Sequence, residues 1–200
     1  MDLPKHTCRI ALTGGPGAGK TTAADMFRRE LGESVVIVPE AATLLFSGGL
    51  PRCRDRDAVV STQVAIFHLQ TALEDIQSAE YHDRILLCDR GTVDGAAYWP
   101  GEPDEYFKHV DTSIDEQLSR YNAVIYFESA AVGGISIEGG NPTRTESLKE
   151  AVTLDSRLRG LWSKHPNFRF VPHHPSFMKK ISSGLEAIEN IVQELSTTKR

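Results

Sequence analysis

The sequence has no surplus of positive charge, few cysteines and no long apolar run, and each shortage removes a class of function. Lysine and arginine total 22 against 27 aspartate and glutamate, a net charge of -5, so no global positive field draws in DNA or RNA. Nucleic acid is therefore not an expected partner, whereas a small phosphorylated ligand needs only a local positive site. The three cysteines, Cys8, Cys53 and Cys88, are an odd number without metal-ligand spacing. Two of them fall in apolar runs that read as buried strands, which fits reduced thiols in a cytoplasmic setting. No apolar stretch approaches the roughly 20 residues of a membrane span, and the polar segment Met1 to Lys5 lacks a signal-peptide core. These features lead to the expectation of a soluble cytoplasmic protein with no stable membrane insertion.

What is present is ordinary in bulk: 200 residues, 40% hydrophobic and 24% charged, which suits one compact domain, ordered nearly end to end. Short apolar runs at Arg9–Thr13, Val35–Val38, Arg84–Asp89, Ala123–Phe127 and Phe168–Val171 do not alternate with polar residues, so each reads as a strand buried on both faces of a parallel sheet. Between them lie helical stretches at about 20–31, 57–80, 113–120, 146–165 and 176–195. Alternating strands and helices predict a three-layer α/β fold, with a central parallel sheet of about five strands and helices on both faces. Ligands of such sheets bind at the carboxyl ends of the strands. The stretch 130–145 holds Gly133, Gly134, Gly139, Gly140, Asn141 and Pro142, and reads as a lid.

The sharpest signal is Gly14-Gly15-Pro16-Gly17-Ala18-Gly19-Lys20-Thr21-Thr22. It satisfies the phosphate-loop pattern G-x-x-x-x-G-K-[ST] and lies after a predicted strand and before a predicted helix, the context the motif requires. Glycines let the backbone curl until successive N–H groups face phosphate oxygens, and the helix N-terminus adds partial positive charge. Lys20 is expected on the β and γ phosphates of ATP (GTP is the alternative), and the Thr21 hydroxyl on Mg2+. No Asn-Lys-x-Asp string signals guanine. Phe177 and Lys179, after the last strand, are candidate base contacts.

Other charged groups converge on that loop. Asp89 closes the third apolar run and places a carboxylate at the carboxyl end of the sheet, where it can hold magnesium with Thr21; a helix cap after the strand is the alternative. Glu40 follows the second run and is placed to orient or deprotonate an acceptor hydroxyl, although an acid in a first helical turn also suits the macrodipole. Arg90, beside Asp89, and Arg144, at the end of the lid, are candidates for stabilising transferring phosphoryl oxygens. Arg157 and Arg159 compete with Arg144 for that role. Gln63 and Gln70, seven apart, share a helix face that could read a substrate edge or simply be solvated, and Tyr98 and Trp99 could stack on its ring, although aromatics at such spacing more often complete a core. Arg52, Arg54 and Arg56 form a basic cluster, and His173 and His174 read as structural.

The phosphate loop, Pro39-Glu40-Ala41-Ala42-Thr43, Cys88-Asp89-Arg90-Gly91-Thr92-Val93-Asp94-Gly95-Ala96-Ala97-Tyr98-Trp99, Asn141-Pro142-Thr143-Arg144-Thr145-Glu146 and the helix with Leu154-Asp155 together resemble one group. These are the AAA-class predicted ATPases similar to the nicotinamide riboside kinase domain of NadR. Asp89-Arg90 also resembles the Asp-Arg or Glu-Arg motif of deoxynucleoside and thymidylate kinases, whose arginine contacts phosphates. The resemblance implies a kinase-like P-loop fold with a lid, not the oligomeric ring of AAA machines. It also extends to eukaryotic GTP-binding proteins implicated in lipid binding.

Two functions follow as expectations. The first is a kinase moving the γ-phosphate of ATP to a small-molecule acceptor of nucleoside, nucleotide or nicotinamide riboside type. The second is a nucleotide-dependent switch with slow hydrolysis and a protein or lipid partner. Either is compatible with a homodimer.

Overall fold

The computed structural model describes residues 8–134 and 147–197. Its strands are β1 (Cys8–Gly14), β2 (Val35–Val38), β3 (Ile85–Asp89), β4 (Ala123–Phe127) and β5 (Phe168–Val171). They form one all-parallel sheet in the order β2-β3-β1-β4-β5, a three-layer α/β P-loop NTPase fold. The strand order reverses beside β1, so the crevice at the carboxyl end of that strand is the topological switch point where such sheets bind ligands.

Side chains alternate across each strand, and the two faces carry separate cores. Leu86 and Cys88 of β3 join Ala11, Val124 and Tyr126 on one face, packed by Phe67 of α3 (Arg56–Glu80), Ala96 of α4 (Gly95–Tyr98), Tyr106 of α5 (Pro103–His109) and Trp162 of α7 (Leu148–Trp162). Ile85 and Leu87 join Ile10, Leu12, Ile125 and Phe127 on the other, under Phe27 of α1 (Lys20–Leu31) and Ile188 of α8 (Phe177–Thr197). Truncating one of these fully buried leucines to alanine costs about 2–5 kcal/mol.

Two elements are short and lack the apolar periodicity that marks the longer helices: α2 (Ala41–Ser47), with no side-chain cap, and the four-residue α4. The sixth helix, α6 (Ile114–Ser119), begins with a capping box between Ser113 and Glu116, and α7 begins with one between Ser147 and Glu150. Helix α3 is started by the Asp55 carboxylate, which accepts from the Asp57 and Ala58 amides at 3.1 Å. The predicted lid at 130–145 opens with a 3-10 turn, Ala130–Gly133, capped by Ser129. Its remainder, including Arg144, falls among residues 135–146, outside the described residues.

Candidate nucleotide-binding site

The loop between β1 and α1 turns so tightly that only glycine fits at its two ends. Gly14 has φ +142°, and a Cβ there would meet the Phe127 carbonyl oxygen at 2.0 Å. Gly19 has φ +82°, and its Cβ would strike the Phe177 ring at 2.6 Å. Positive φ at both positions curls the chain into a cradle of amides, and α1 starts directly behind it at Lys20. The Lys20 ammonium folds back over the loop, donating to the Gly14 carbonyl at 2.9 Å and the Gly15 carbonyl at 3.1 Å. Burial, with Arg90 adding to it, pulls the Lys20 pKa down to about 8.

Parallel pairing of β1 with β3 sets Leu12 opposite Asp89, so the Asp89 carboxylate emerges one strand away from the phosphate loop. Thr21 Oγ1 donates to Asp89 Oδ2 at 2.7 Å. The other oxygen, Asp89 Oδ1, is buried without a hydrogen-bond partner among the described residues, an arrangement that costs free energy unless another ligand takes it. A hydroxyl and an unpaired carboxylate oxygen at one point are hard donors of the kind magnesium takes, so this pair fits the ion. Burial and then the Glu40 charge push the Asp89 pKa up.

Beyond this pair lies an ionic cluster built on Arg90. Its backbone has φ +72°, an uncommon conformation for a side chain other than glycine. The amide is held to the Leu12 carbonyl at 3.0 Å. The guanidinium donates through Nε to Glu40 Oε1 at 2.5 Å and through Nη1 to Asp94 Oδ2 at 2.7 Å, and sits 5.6 Å from the Tyr98 ring centre. Asp94 is fixed from its other side by Thr13 Oγ1 at 2.8 Å and Trp162 Nε1 at 2.6 Å. Glu40 also accepts from Thr43 Oγ1 at 2.6 Å. Burial alone would raise the Glu40 pKa, but Arg90, Thr43 and Lys20 outweigh it and hold the carboxyl below its usual range.

Comparison with known families adds to this geometry: the model of a family described as an AAA domain matches residues 9–174. The chain belongs to the AAA domain family. No curated protein matches it. An AAA-type P-loop domain is a nucleotide-binding NTPase-type unit that usually works with magnesium, and the Thr21–Asp89 pair suits that ion. Among the described residues no helix is long and apolar enough to cross a membrane.

Of the residues singled out in the sequence, Lys20, Thr21, Asp89, Glu40 and Arg90 meet at this AAA-domain site, and Gly14 to Thr22 form its loop and first helical turn. Others take different places. Gln70 is not a free substrate reader: its Oε1 accepts from the Ala41 amide at 3.1 Å, and its Nε2 reaches Glu74 Oε1 at 3.3 Å and the Arg90 carbonyl at 3.5 Å. Gln63 is buried on the same face. Trp99 is 5% exposed and packs edge-on to Tyr106 at 5.5 Å, so it belongs to the core and not to a stacking surface. Arg159 lies over the Phe170 ring at 4.1 Å and 3.8 Å from Glu128. Arg52 covers the Phe46 ring and Arg56 is 4.0 Å from Glu105. Phe177 lies against Gly19, while Lys179 is exposed.

Sequence reasoning gave no individual role to Asp94, Asp155, Ser129 or Lys180, all buried. Asp94 stood inside the Cys88–Trp99 stretch, where an acid five residues past a strand end was the available signal.

Proposed function

We propose that the chain is a phosphotransferase that moves the γ-phosphate of ATP to a hydroxyl or phosphate of a small acceptor of nucleoside, nucleotide or nicotinamide riboside type. The observation that carries this reading is the Glu40–Arg90–Asp94 cluster, which adjoins the Thr21–Asp89 pair and is tied to the strand that bears the phosphate loop through Thr13. Pure nucleotide binding requires no such organised acid and base beyond the metal pair.

Each residue then has a task. Lys20 leaves the Gly14 and Gly15 carbonyls for the β and γ phosphates, and loop amides hold the remaining oxygens. Thr21 and Asp89 hold magnesium, which when bound neutralises charge on the β and γ oxygens. Glu40, kept ionised by its neighbours, accepts a hydrogen bond from the acceptor hydroxyl and orients it. Loose phosphoryl-transfer transition states ask for orientation more than for a strong base, so a low pKa at Glu40 does not disqualify it. Arg90 fixes Glu40 and offers positive charge beside the transferring group, and Tyr98 flanks the acceptor side. Arg144, which lies outside the described residues, is the candidate for a second guanidinium on the transferring group.

The switch reading draws on the apolar residues that flank residues 135–146: Val132, Leu148 and Val152 are 46%, 44% and 39% exposed. In that reading nucleotide occupancy changes a protein or lipid partner contact.

A thermal-shift screen separates the two readings. ATP or GTP with magnesium comes first, then nucleosides, nucleoside monophosphates and nicotinamide riboside, alone and in pairs, with ADP release followed in parallel. A co-substrate raises Tm by mass action and accelerates ADP release. If no acceptor does either, the kinase reading yields to the switch.

A further inference from the structure

The phosphate loop is held from behind by three buried side chains that take no part in the site described above: Asp155 of α7, Ser129 after β4, and Lys180 of α8, at 3%, 0% and 4% exposure. Asp155 Oδ1 accepts from the Gly15 amide at 3.1 Å and the Ser129 amide at 2.8 Å. Ser129 Oγ donates to the Pro16 carbonyl. Lys180 Nζ donates to the Ala18 carbonyl at 2.8 Å and the Glu128 carbonyl at 2.6 Å.

The two sides of the loop can be told apart from these contacts. A trans peptide plane points its C=O and its N–H in opposite directions. In the Gly14–Gly15 peptide the carbonyl goes to Lys20 Nζ and the amide to Asp155, so Lys20 and Asp155 lie on opposite sides. Ser129 bonds to Asp155 and therefore lies behind the loop, as does Lys180, which grips the adjacent Glu128 carbonyl. Carbonyls drawn toward Ser129 and Lys180 force the amides of the same planes to face the Lys20 side. Those amides belong to Gly17, in the Pro16–Gly17 plane, and Gly19, in the Ala18–Gly19 plane. Neither donates to another described residue.

We propose that Ser129 and Lys180 are positioning residues for polyphosphate binding: by holding the Pro16 and Ala18 carbonyls behind the loop, they aim the Gly17 and Gly19 amides at the phosphates. The inference rests on the nucleotide-binding reading of the loop and adds the residues that set its amide directions before ligand arrives. Preorganised donors bind without the cost of turning peptide planes during association. Lys180 also joins α8 to the loop, and Asp155 joins α7 to it, so both helices bear on the same set of planes.

Calorimetry with magnesium ATP and with magnesium tripolyphosphate, on wild type, Lys180→Met and Ser129→Ala, tests the proposal. Measurements are made at a temperature where circular dichroism shows each variant folded. Losing one aimed amide weakens binding about threefold for Ser129→Ala and about tenfold for Lys180→Met, the range of single hydrogen bonds. The factor is the same for ATP and tripolyphosphate, because only phosphates are read. With isotope-labelled glycine, the Gly17 and Gly19 amide resonances shift on binding tripolyphosphate in wild type and shift less in the variants. Should Lys180→Met fail to fold, Ser129→Ala carries the test alone. Unchanged affinities in folded variants overturn the proposal while leaving the loop's own function intact. Weakened ATP binding with unaltered tripolyphosphate binding also overturns it, since Lys180 would then act on the base or ribose. A wild type that binds neither ligand overturns this proposal and the nucleotide reading together.

Discussion

Replacing Asp94 with asparagine keeps the shape of the side chain and removes its charge, which makes it a clean probe of the Arg90 cluster. The carboxylate has three fixed partners: Arg90 Nη1 at 2.7 Å on Oδ2, and Thr13 Oγ1 at 2.8 Å with Trp162 Nε1 at 2.6 Å on Oδ1. In Asp94→Asn the oxygen stays with Thr13 and Trp162, so the amide group is turned toward a guanidinium that can only donate. Breaking a buried ion pair costs about 3–5 kcal/mol. Arg90 retains Glu40 at 2.5 Å, so roughly half of that, about 2 kcal/mol, is expected to appear. Strain in the donor-to-donor contact brings the total to about 2–3 kcal/mol. For a chain of this length the melting temperature then falls by about 5–10 °C. Thr13→Val removes one neutral hydrogen bond and lowers it by about 3 °C. Thermal unfolding followed by circular dichroism at neutral pH reads both. An Asp94→Asn protein that melts within about 1 °C of wild type refutes the view that this cluster is a mutually dependent unit.

Glu40→Gln is expected to slow acceptor phosphorylation by about 10²–10³-fold while leaving ATP affinity within about threefold, measured by ADP release and calorimetry; equal losses in both would assign Glu40 to nucleotide binding. Asp89→Asn removes the proposed magnesium ligand, so the gain in ATP affinity on adding magnesium, about tenfold or more in wild type, is expected to shrink to less than about threefold in titrations with and without chelator. The pH dependence follows from Lys20, whose pKa is lowered to about 8 in the folded protein, first by burial. Bound phosphates favour the charged ammonium and raise that pKa, so binding above pH 8 requires proton uptake. Affinity for magnesium ATP is therefore level from pH 7 to about 8 and falls as pH rises further. A titration that stays flat to pH 9.5 contradicts that account.

The sheet was legible in the sequence because its strands are uninterrupted β-branched or aromatic runs, and Val35–Val38 and Ala123–Phe127 match their observed bounds. Strand order was not, since nothing local states that β1 lies between β3 and β4. The phosphate loop was legible because a contiguous motif carries its chemistry. Asp89 and Glu40 could be placed because each follows a strand end at the same edge. The roles of Asp155 and Lys180 could not, since they meet the loop across 140 and 162 residues, and the Leu154-Asp155 pair reads only as part of a resemblance. Of the two readings open for Trp99, a ligand-stacking surface or the core, the structure takes the core, because the short α4 carries it against Tyr106 and His109.

The central claim is that the Gly14–Thr22 loop binds a nucleoside triphosphate through its amides and Lys20. The most direct measurement is the calorimetric Kd of magnesium ATP for wild type and for Lys20→Ala. Loss of a charge-assisted contact predicts binding weakened by about 10–100-fold, with the fold retained by circular dichroism. Equal affinity in the two proteins, or no binding by wild type, contradicts the account.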